Sequence, residues 1–182
     1  MTLKHQQPLI MSRIITIEPY NSHWVNAYND EMVKLKDACP DEILFVHHIG
    51  STSVPGLAAK PIIDILLGIK NIGKFDENHS VIERLGYTER EEYGISGRRY
   101  FIKGRDNRTH HIHAFETGCF HITRHLAFRD YLRRHNDVAH QYAEIKYQAA
   151  RACGNSSENY CQLKSEFILL REKLALEELS PQ

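Results

Sequence analysis

The chain has 182 residues, 42% hydrophobic and 25% charged, which is the composition of an ordinary globular domain. Basic and acidic residues both number 23, so the formal net charge is zero and we expect no broad nucleic-acid-binding surface. The longest apolar stretch, residues 62–69, contains an acid and is far shorter than a bilayer-spanning helix. We therefore expect no membrane partner.

The cysteines Cys39, Cys119, Cys153 and Cys161 show no C-x-x-C spacing, which argues against a zinc knuckle or a thioredoxin-type motif. No secretory signal is recognisable at the start of the sequence. We therefore expect reduced thiols and a cytoplasmic protein.

The first half of the chain alternates strand and helix patterns. Hydrophobic periodicity predicts a strand over residues 13–18, a helix between Ser22 and Pro40, and strands over residues 43–49 and 62–69. The last of these strands is almost continuously apolar, which is typical of a strand covered on both faces. Residues 1–12 have no such pattern, so we expect a loose N-terminal segment followed by one domain over residues 13–176.

The second half of the chain is richer in helix. We predict a helix over residues 76–85, strands over 98–103 and 110–115, a helix over 128–153, and a last helix after Gly154 and Asn155. The predicted fold class is therefore α/β in the broad sense (α+β): a mixed sheet flanked by helices, with two long C-terminal helices. The tyrosines on the C-terminal apolar stripes, including Tyr142 and Tyr160, are expected to pack in the core.

A Gly-Ser turn followed by an acid on the next strand is the main functional signal. Gly50 can turn tightly, and Ser51 and Thr52 offer hydroxyl and backbone N–H groups to a phosphate. Asp64, inside the apolar strand, can hold a divalent ion that bridges such a phosphate. The alternative is an ordinary loop in which Asp64 caps a backbone group or pairs with an arginine. In either case the carboxylate needs a partner.

Two histidines share the period of a strand. His111 and His113 are two residues apart, so both point to one face, which could meet Asp64 in the sheet. A His-x-His pair with one carboxylate suits a transition metal such as zinc better than magnesium. The alternative is that these histidines are hydrogen-bonded polar residues in a cleft.

Several basic residues are candidates for contacting an anion. Lys60 lies at the end of the Gly-Ser segment and is a candidate phosphate ligand. Arg99 and Lys103, near the predicted hairpin, either reach a phosphate or belong to a solvated turn together with Arg98 and Arg105.

The segment from His48 to Asp64, HIGSTSVPGLAAKPIID, closely resembles the signature of the GrpB family. That family belongs to the nucleotidyltransferase superfamily and also occurs fused to dephospho-CoA kinase in some bacteria. Residues 128–132 with Lys146, and residues 160–164, resemble the family's other landmarks. The resemblance covers about residues 14–174.

The resemblance implies a nucleotidyltransferase-like core. In active members of that superfamily a Gly-Ser turn holds nucleotide phosphates, and three acids hold two Mg²⁺ or Mn²⁺ ions. Here Gly50 and Ser51 match the turn, and Asp64 matches the first, catalytic acid. Leu66 stands at the second acidic position and cannot bind a metal, and the third position falls within residues 110–113. The family landmarks also make Arg129, Lys146 and Lys164 candidates for contacting the ligand.

Three functional hypotheses follow, and the expected partner is a small phosphorylated molecule. The first is a metal-dependent nucleotidyltransferase that moves a nucleoside monophosphate from a nucleoside triphosphate to an unknown acceptor. The second is a non-catalytic module that binds a nucleotide or phosphometabolite, for example one related to coenzyme A. The third is a centre of Asp64, His111 and His113 in which a metal performs hydrolytic or lyase chemistry.

Overall fold

The computed structural model describes residues 14–179. The predicted loose segment, residues 1–12, lies outside the described residues, and the predicted domain limits at 13 and 176 stay predictions. The strand predicted over residues 13–18 is wrong for the described part of that range. Glu18 forms a single antiparallel bridge with Ala59 through two hydrogen bonds of 2.8 and 2.9 Å.

In the part of the chain that the structure describes, five strands form one mixed sheet, which confirms the predicted class. They are β1 (Ile43–Ile49), β2 (Ile63–Ile69), β3 (Tyr87–Glu89), β4 (Arg99–Lys103) and β5 (His110–Glu116). The order is β1-β2-β5-β4-β3; β2 and β5 run parallel, and the other neighbours run antiparallel. Strand β3, which is only three residues long, was not predicted from the sequence.

Within residues 14–179, six α-helices flank the sheet. They are α1 (His23–Ala38), α2 (Ile72–Asn78), α3 (Ser80–Arg84), α4 (Phe120–Arg134), α5 (Asn136–Ala152) and α6 (Ser157–Leu179). Helix α1 and the two long C-terminal helices, α5 and α6, confirm the prediction. None of the helices in residues 14–179 is long and apolar enough to cross a membrane.

Two predicted helices have the wrong bounds. The segment predicted as one helix over residues 76–85 is two short helices, and the first begins earlier because Asn71 Oδ1 accepts the Lys74 N–H at 2.9 Å. The helix predicted over residues 128–153 is divided at His135, whose φ and ψ of −111° and 79° are not helical. The His135 side chain pairs with Glu178 at 2.8 Å, a contact to α6 that apolar periodicity within the segment does not reveal.

The two faces of the sheet carry different side chains and pack against different helices. The side chains of Ile63, Ile65 and Leu67 on β2 pack into a core with α1, α2 and α3. Residues that alternate with them, among them Asp64 and Leu66, point to the opposite face. Leu66 packs there in a smaller apolar cluster with residues of β1, β5 and α4. In the register of β2 with β5, Asp64 pairs with His111, so both lie on this second face.

Candidate functional site

Gly50 brings the turn after β1 against the carboxylate of β2. Its φ is 68°, a conformation that side-chain-bearing residues rarely adopt. A Cβ atom on Gly50 would lie 3.0 Å from the Asp64 Cβ and closer still to Oδ2, so only glycine allows this approach. The Ser53 hydroxyl donates to the Gly50 carbonyl at 2.6 Å and closes the turn.

Thr52 fixes this turn from inside the protein. It is buried, and its hydroxyl donates to the Ile62 carbonyl at 3.3 Å. The same oxygen lies 2.9 Å from His48 Nε2, which therefore donates to it. Burial lowers the pKa of His48 to about 4, so the imidazole is neutral, and it stacks on Tyr28 with ring centroids 4.7 Å apart. The Thr52 hydroxyl is thus used within the fold, and His48 is a supporting residue that the sequence pattern did not reveal.

The structure brings Asp64 together with both predicted histidines. His111 Nδ1 lies 3.1 Å from Asp64 Oδ1, and His113 Nε2 lies 3.6 Å from the same oxygen. Burial opposes ionisation of Asp64, but the interactions with His111 and then His113 outweigh it and lower the pKa of the carboxyl group. Asp64 is therefore an ionised carboxylate with a partly exposed side chain.

Arg98 contacts this group from the loop before β4. Its side chain is buried, and Nη1 lies 3.3 Å from His113 Nδ1. The guanidinium also donates to the carbonyls of Glu92 and Tyr93 at 3.1 and 2.7 Å, and lies over the Tyr100 ring at 4.6 Å. From the sequence, Arg98 was considered only as one of the charged residues near the predicted hairpin, because residue type alone does not reveal that an arginine is buried.

Three lysines from separate segments surround two tyrosine rings. The Nζ atoms of Lys60 and Lys164 lie 4.7 and 4.5 Å from the centroid of the Tyr160 ring. Lys146 Nζ lies 4.6 Å from the centroid of the Tyr142 ring. We call these three lysines and two tyrosines the cationic cluster.

The cationic cluster adjoins the Gly-Ser turn and Asp64. Burial raises the pKa of Tyr142, and a hydrogen bond between its side chain and that of Ser51 opposes the rise. Lys146 donates to the carbonyl of Ala58. Burial lowers the pKa of Lys164, with the charge of Asp64 among the opposing influences. Tyr142 therefore connects the Gly-Ser turn to the lysines, and Lys164 lies within the electrostatic influence of Asp64.

Two lysines of this site are desolvated and have no carboxylate partner among the described residues. Lys146 is 2% exposed, and burial, then the neighbouring Lys164, lowers its pKa to about 6. Within residues 14–179, neither Lys146 nor Lys164 forms a salt bridge with a carboxylate. Because an unpaired buried ammonium is costly, Lys146 is largely unprotonated near neutral pH, and an anion bound at this position would favour its protonated form.

Arg99 and Lys103 lie on the other face of the sheet. Arg99 forms a two-pronged pair with Asp76 at 2.7 and 2.6 Å. Lys103 pairs with the buried Glu31 at 2.7 Å. The structure therefore does not bring these two candidates to Asp64, because their strand positions alternate with those that face α4 to α6.

Arg129 supports the turn from α4. Its Nη1 donates to the His48 carbonyl at 3.2 Å, and its other nitrogens bind the Asp130 carboxylate at 2.7 and 3.1 Å. The guanidinium thus binds the end of β1 and a neighbouring acid. It supports the backbone beside the site.

The residues around Asp64 do not fit a resident metal. Leu66 is fully buried and supplies no oxygen, so Asp64 has no acidic partner on β2. A metal-binding histidine normally donates its second ring nitrogen to an acceptor, whereas His113 Nδ1 faces the donor Arg98. In the described part of the chain, no group of three or more His, Cys, Asp or Glu side chains could hold a metal ion.

A family model described as GrpB protein matches residues 14–173. The chain belongs to the GrpB family. The crystal structure of conserved protein GrpB from Enterococcus faecalis superposes with a TM-score of 0.85 and 43% identity, covering 90% of this chain and 98% of that one. UPF0157 protein YqkA of Bacillus subtilis is 42% identical over 96% of this chain.

The GrpB-family chain spans only part of the length of some relatives. It covers about half of YqkA, 53%, and 44% of a dephospho-CoA kinase from Mycobacterium leprae that is 23% identical. The resemblance of the signature segment implied a relation to dephospho-CoA kinase. The low identity to the Mycobacterium leprae protein of that name confirms a distant relation. The four cysteines are free, as expected.

Proposed function

We propose that this GrpB-family protein binds a phosphate-bearing small molecule, a nucleotide foremost, between the Gly50–Ser51 turn and the cationic cluster. The observation that carries the proposal is the convergence of Lys60, Lys146 and Lys164 on the rings of Tyr142 and Tyr160, the first of which interacts with Ser51. They come from the loop before β2, from α5 and from α6, so sequence proximity does not explain their meeting.

The charges indicate how a phosphate would be held. Lys60 and Lys164 are partly exposed and can donate to phosphate oxygens, while Lys146 lies buried behind them. An anion favours the protonated form of Lys146, so its binding would reverse part of the pKa depression there. Asp64 Oδ2, on the side of Gly50, is then available to a ligand hydroxyl or to the Mg²⁺ or Mn²⁺ that accompanies a nucleoside triphosphate as part of the substrate.

A thermal-shift experiment tests this proposal. The probes are ATP, GTP, inorganic triphosphate and phosphopantetheine, each with and without Mg²⁺. Phosphopantetheine is included because of the dephospho-CoA kinase relative. A ligand at about 100 times its Kd stabilises the folded state by about 2.7 kcal/mol, a readily measured shift. We expect at least one probe to raise Tm.

Two matched lysine variants on α6 test whether the ligand-induced Tm shift arises from binding at the cationic cluster. Lys164→Gln should abolish the shift, whereas Lys173→Gln should keep it. Lys173 is on the same helix and highly exposed, with one weak contact to Glu177 at 3.9 Å. An equal ligand shift in both variants, or no shift with any probe in the wild type, would overturn the proposal.

A second candidate function is nucleotidyl transfer, and the contact between Gly50 and Asp64 favours it. That contact places a carboxylate against a Gly-Ser turn, as the superfamily resemblance implies for a transferase. In such a reaction an acceptor oxygen would bond to the α-phosphorus of the nucleoside triphosphate, and pyrophosphate would leave. Leu66 leaves a single acid on β2, so this candidate depends on a cation brought by the substrate.

Pyrophosphate release separates transfer from binding alone. If transfer occurs, wild-type protein with a nucleoside triphosphate, Mg²⁺ and a mixture of small acceptors releases pyrophosphate, and Asp64→Asn does not. Nucleotide binding without pyrophosphate release in the wild type would leave the first proposal intact and reject transfer with the acceptors tested.

A further inference from the structure

Arg98 and His113 fix each other's hydrogen positions. A guanidinium has donors and no acceptor, so the contact of 3.3 Å between Arg98 Nη1 and His113 Nδ1 requires a bare Nδ1. A neutral His113 then carries its proton on Nε2, the nitrogen that faces Asp64 Oδ1 at 3.6 Å. The tautomer follows from the position of Arg98.

His111 has the opposite arrangement. An ionised carboxylate only accepts hydrogen bonds, so His111 carries its proton on Nδ1, 3.1 Å from the same oxygen. Its Nε2 is buried and has no hydrogen-bond partner within the described residues. Both imidazoles thus turn an N–H group toward Asp64 Oδ1, while Oδ2 lies on the side of Gly50.

We propose that Arg98 is a positioning residue: it holds His113 as the Nε2–H tautomer, so that His111 donates to Asp64 Oδ1, His113 directs its N–H group toward the same oxygen, and Oδ2 is left as the oxygen that meets a ligand. The two histidines are then not metal ligands. Only the role of Oδ2 toward a ligand rests on the proposed function; the tautomers are a property of the free protein.

Arg98 is suited to this role because hydrogen bonds and a ring contact hold its guanidinium in one position. Two loop carbonyls accept from its Nε and Nη2, and the Tyr100 ring covers its plane. Tyr100 also packs against both histidines, with centroids 5.5 Å from His111 and 5.2 Å from His113. Neither the guanidinium nor the His113 ring can turn without breaking these contacts.

Long-range ¹H–¹⁵N spectra of the histidine side chains test the assignment in ligand-free protein. Spectra of His111→Gln and His113→Gln identify the two signals. We expect a proton on Nδ1 of His111, and a proton on Nε2 but not on Nδ1 of His113. Two rings of the same tautomer would overturn the proposal without any Arg98 variant, so the test does not depend on how well such a variant folds.

Arg98→Met should release His113 from its single tautomer, and Arg98→Lys, which keeps a donor, should restore it in part. Arg99→Met is the matched control, because it removes the adjacent arginine, whose partner Asp76 lies on the opposite face of the sheet. The control should leave the His113 signal unchanged. An unchanged His113 tautomer in a folded Arg98→Met variant would overturn the role of Arg98.

Zinc titration supplies a second readout. If the histidines are donors and not ligands, His113→Gln binds Zn²⁺ as the wild type does. Loss of a Zn²⁺ equivalent in that variant would contradict the proposal. Because neither measurement uses a phosphate compound, a failed ligand screen would reject the proposed function without rejecting the tautomer assignment.

Discussion

Gly50 and Asp64 lie so close that a single methyl group on Gly50 would collide with the carboxylate, 3.0 Å from the Asp64 Cβ and closer still to Oδ2. The backbone of the turn and the oxygen that we assign to ligand contact thus occupy adjacent positions. The glycine has two separate roles in this arrangement, since it supplies both a positive φ and the missing Cβ. These roles can be separated experimentally.

Gly50→Ala should destabilise the protein and abolish ligand binding. A backbone with φ at 68° and ψ at −174° costs an alanine about 1–3 kcal/mol, and the collision with Asp64 adds to that. Gly56→Ala is the matched control, because Gly56 has a φ of 78° but no atom within 4 Å of the position that a methyl group would take. Urea unfolding should show a larger loss for Gly50→Ala, and only Gly56→Ala should keep a ligand-induced Tm shift. Equal losses would show that the carboxylate does not constrain residue 50.

Lys146 should make the protein more stable as pH rises. Its pKa is about 6 in the folded state against 10.5 for an ordinary lysine, so between these values the unfolded chain binds a proton that the folded one does not. The free energy of unfolding therefore gains at most about 1.4 kcal/mol per pH unit from this group within that window. Below pH 6 both states are protonated and the contribution stops changing.

Lys146→Met should flatten this pH dependence. Urea unfolding of wild type and variant at pH 7 and pH 9 measures it, with the wild type gaining more stability between the two values. The variant should also be the more stable of the two at pH 7, because it buries no amine. Parallel pH profiles would show that Lys146 keeps its charge in the folded protein.

Lys103→Met should lower stability without affecting ligand binding. It removes one of the two lysines that form salt bridges with the buried carboxylate of Glu31, and the lost hydrogen bond costs about 1–3 kcal/mol. Because Lys103 faces α1, the ligand-induced Tm shift should persist in the variant. If a folded Lys103→Met protein lost the ligand-induced Tm shift, Lys103 would have to contact the ligand.

Thr52→Val should destabilise the turn through His48. The valine leaves the buried Nε2–H of His48 without an acceptor, which costs about 1–3 kcal/mol. Thr52→Ser keeps the hydroxyl and should recover most of that stability in urea unfolding. If valine and serine behave alike, the hydroxyl does not hold the turn.

Sequence patterns predicted the central strands and the long terminal helices because these segments carry clear periodicity. They failed where a contact between distant segments decides the structure. The helix break at His135 coincides with a contact between its side chain and Glu178 on α6, and no periodicity within residues 128–153 contains that information. The three-residue strand β3 is too short to display a period.

The candidate site was predicted only in part, again because strand periodicity can be recognised in the sequence and packing between distant segments cannot. Strand alternation correctly placed His111 and His113 on the face of Asp64, and alternation on β4 places Arg99 and Lys103 on the opposite face once the sheet register is known. Tyr142 and Tyr160 are buried as expected from their apolar stripes. Their contacts with lysines, and the burial of Arg98, depend on how α5, α6 and the loop before β4 pack, which composition and spacing do not specify.

The most direct test of the central claim is a crystal structure of this protein with inorganic pyrophosphate and Mg²⁺, solved for wild type and Lys164→Gln. We expect pyrophosphate oxygens within hydrogen-bonding distance of Lys164 Nζ and of the Ser51 segment in the wild type, and no anion there in the variant. Pyrophosphate bound elsewhere, for example near Arg99 or Lys103, with the cationic cluster unchanged, would contradict the proposed site.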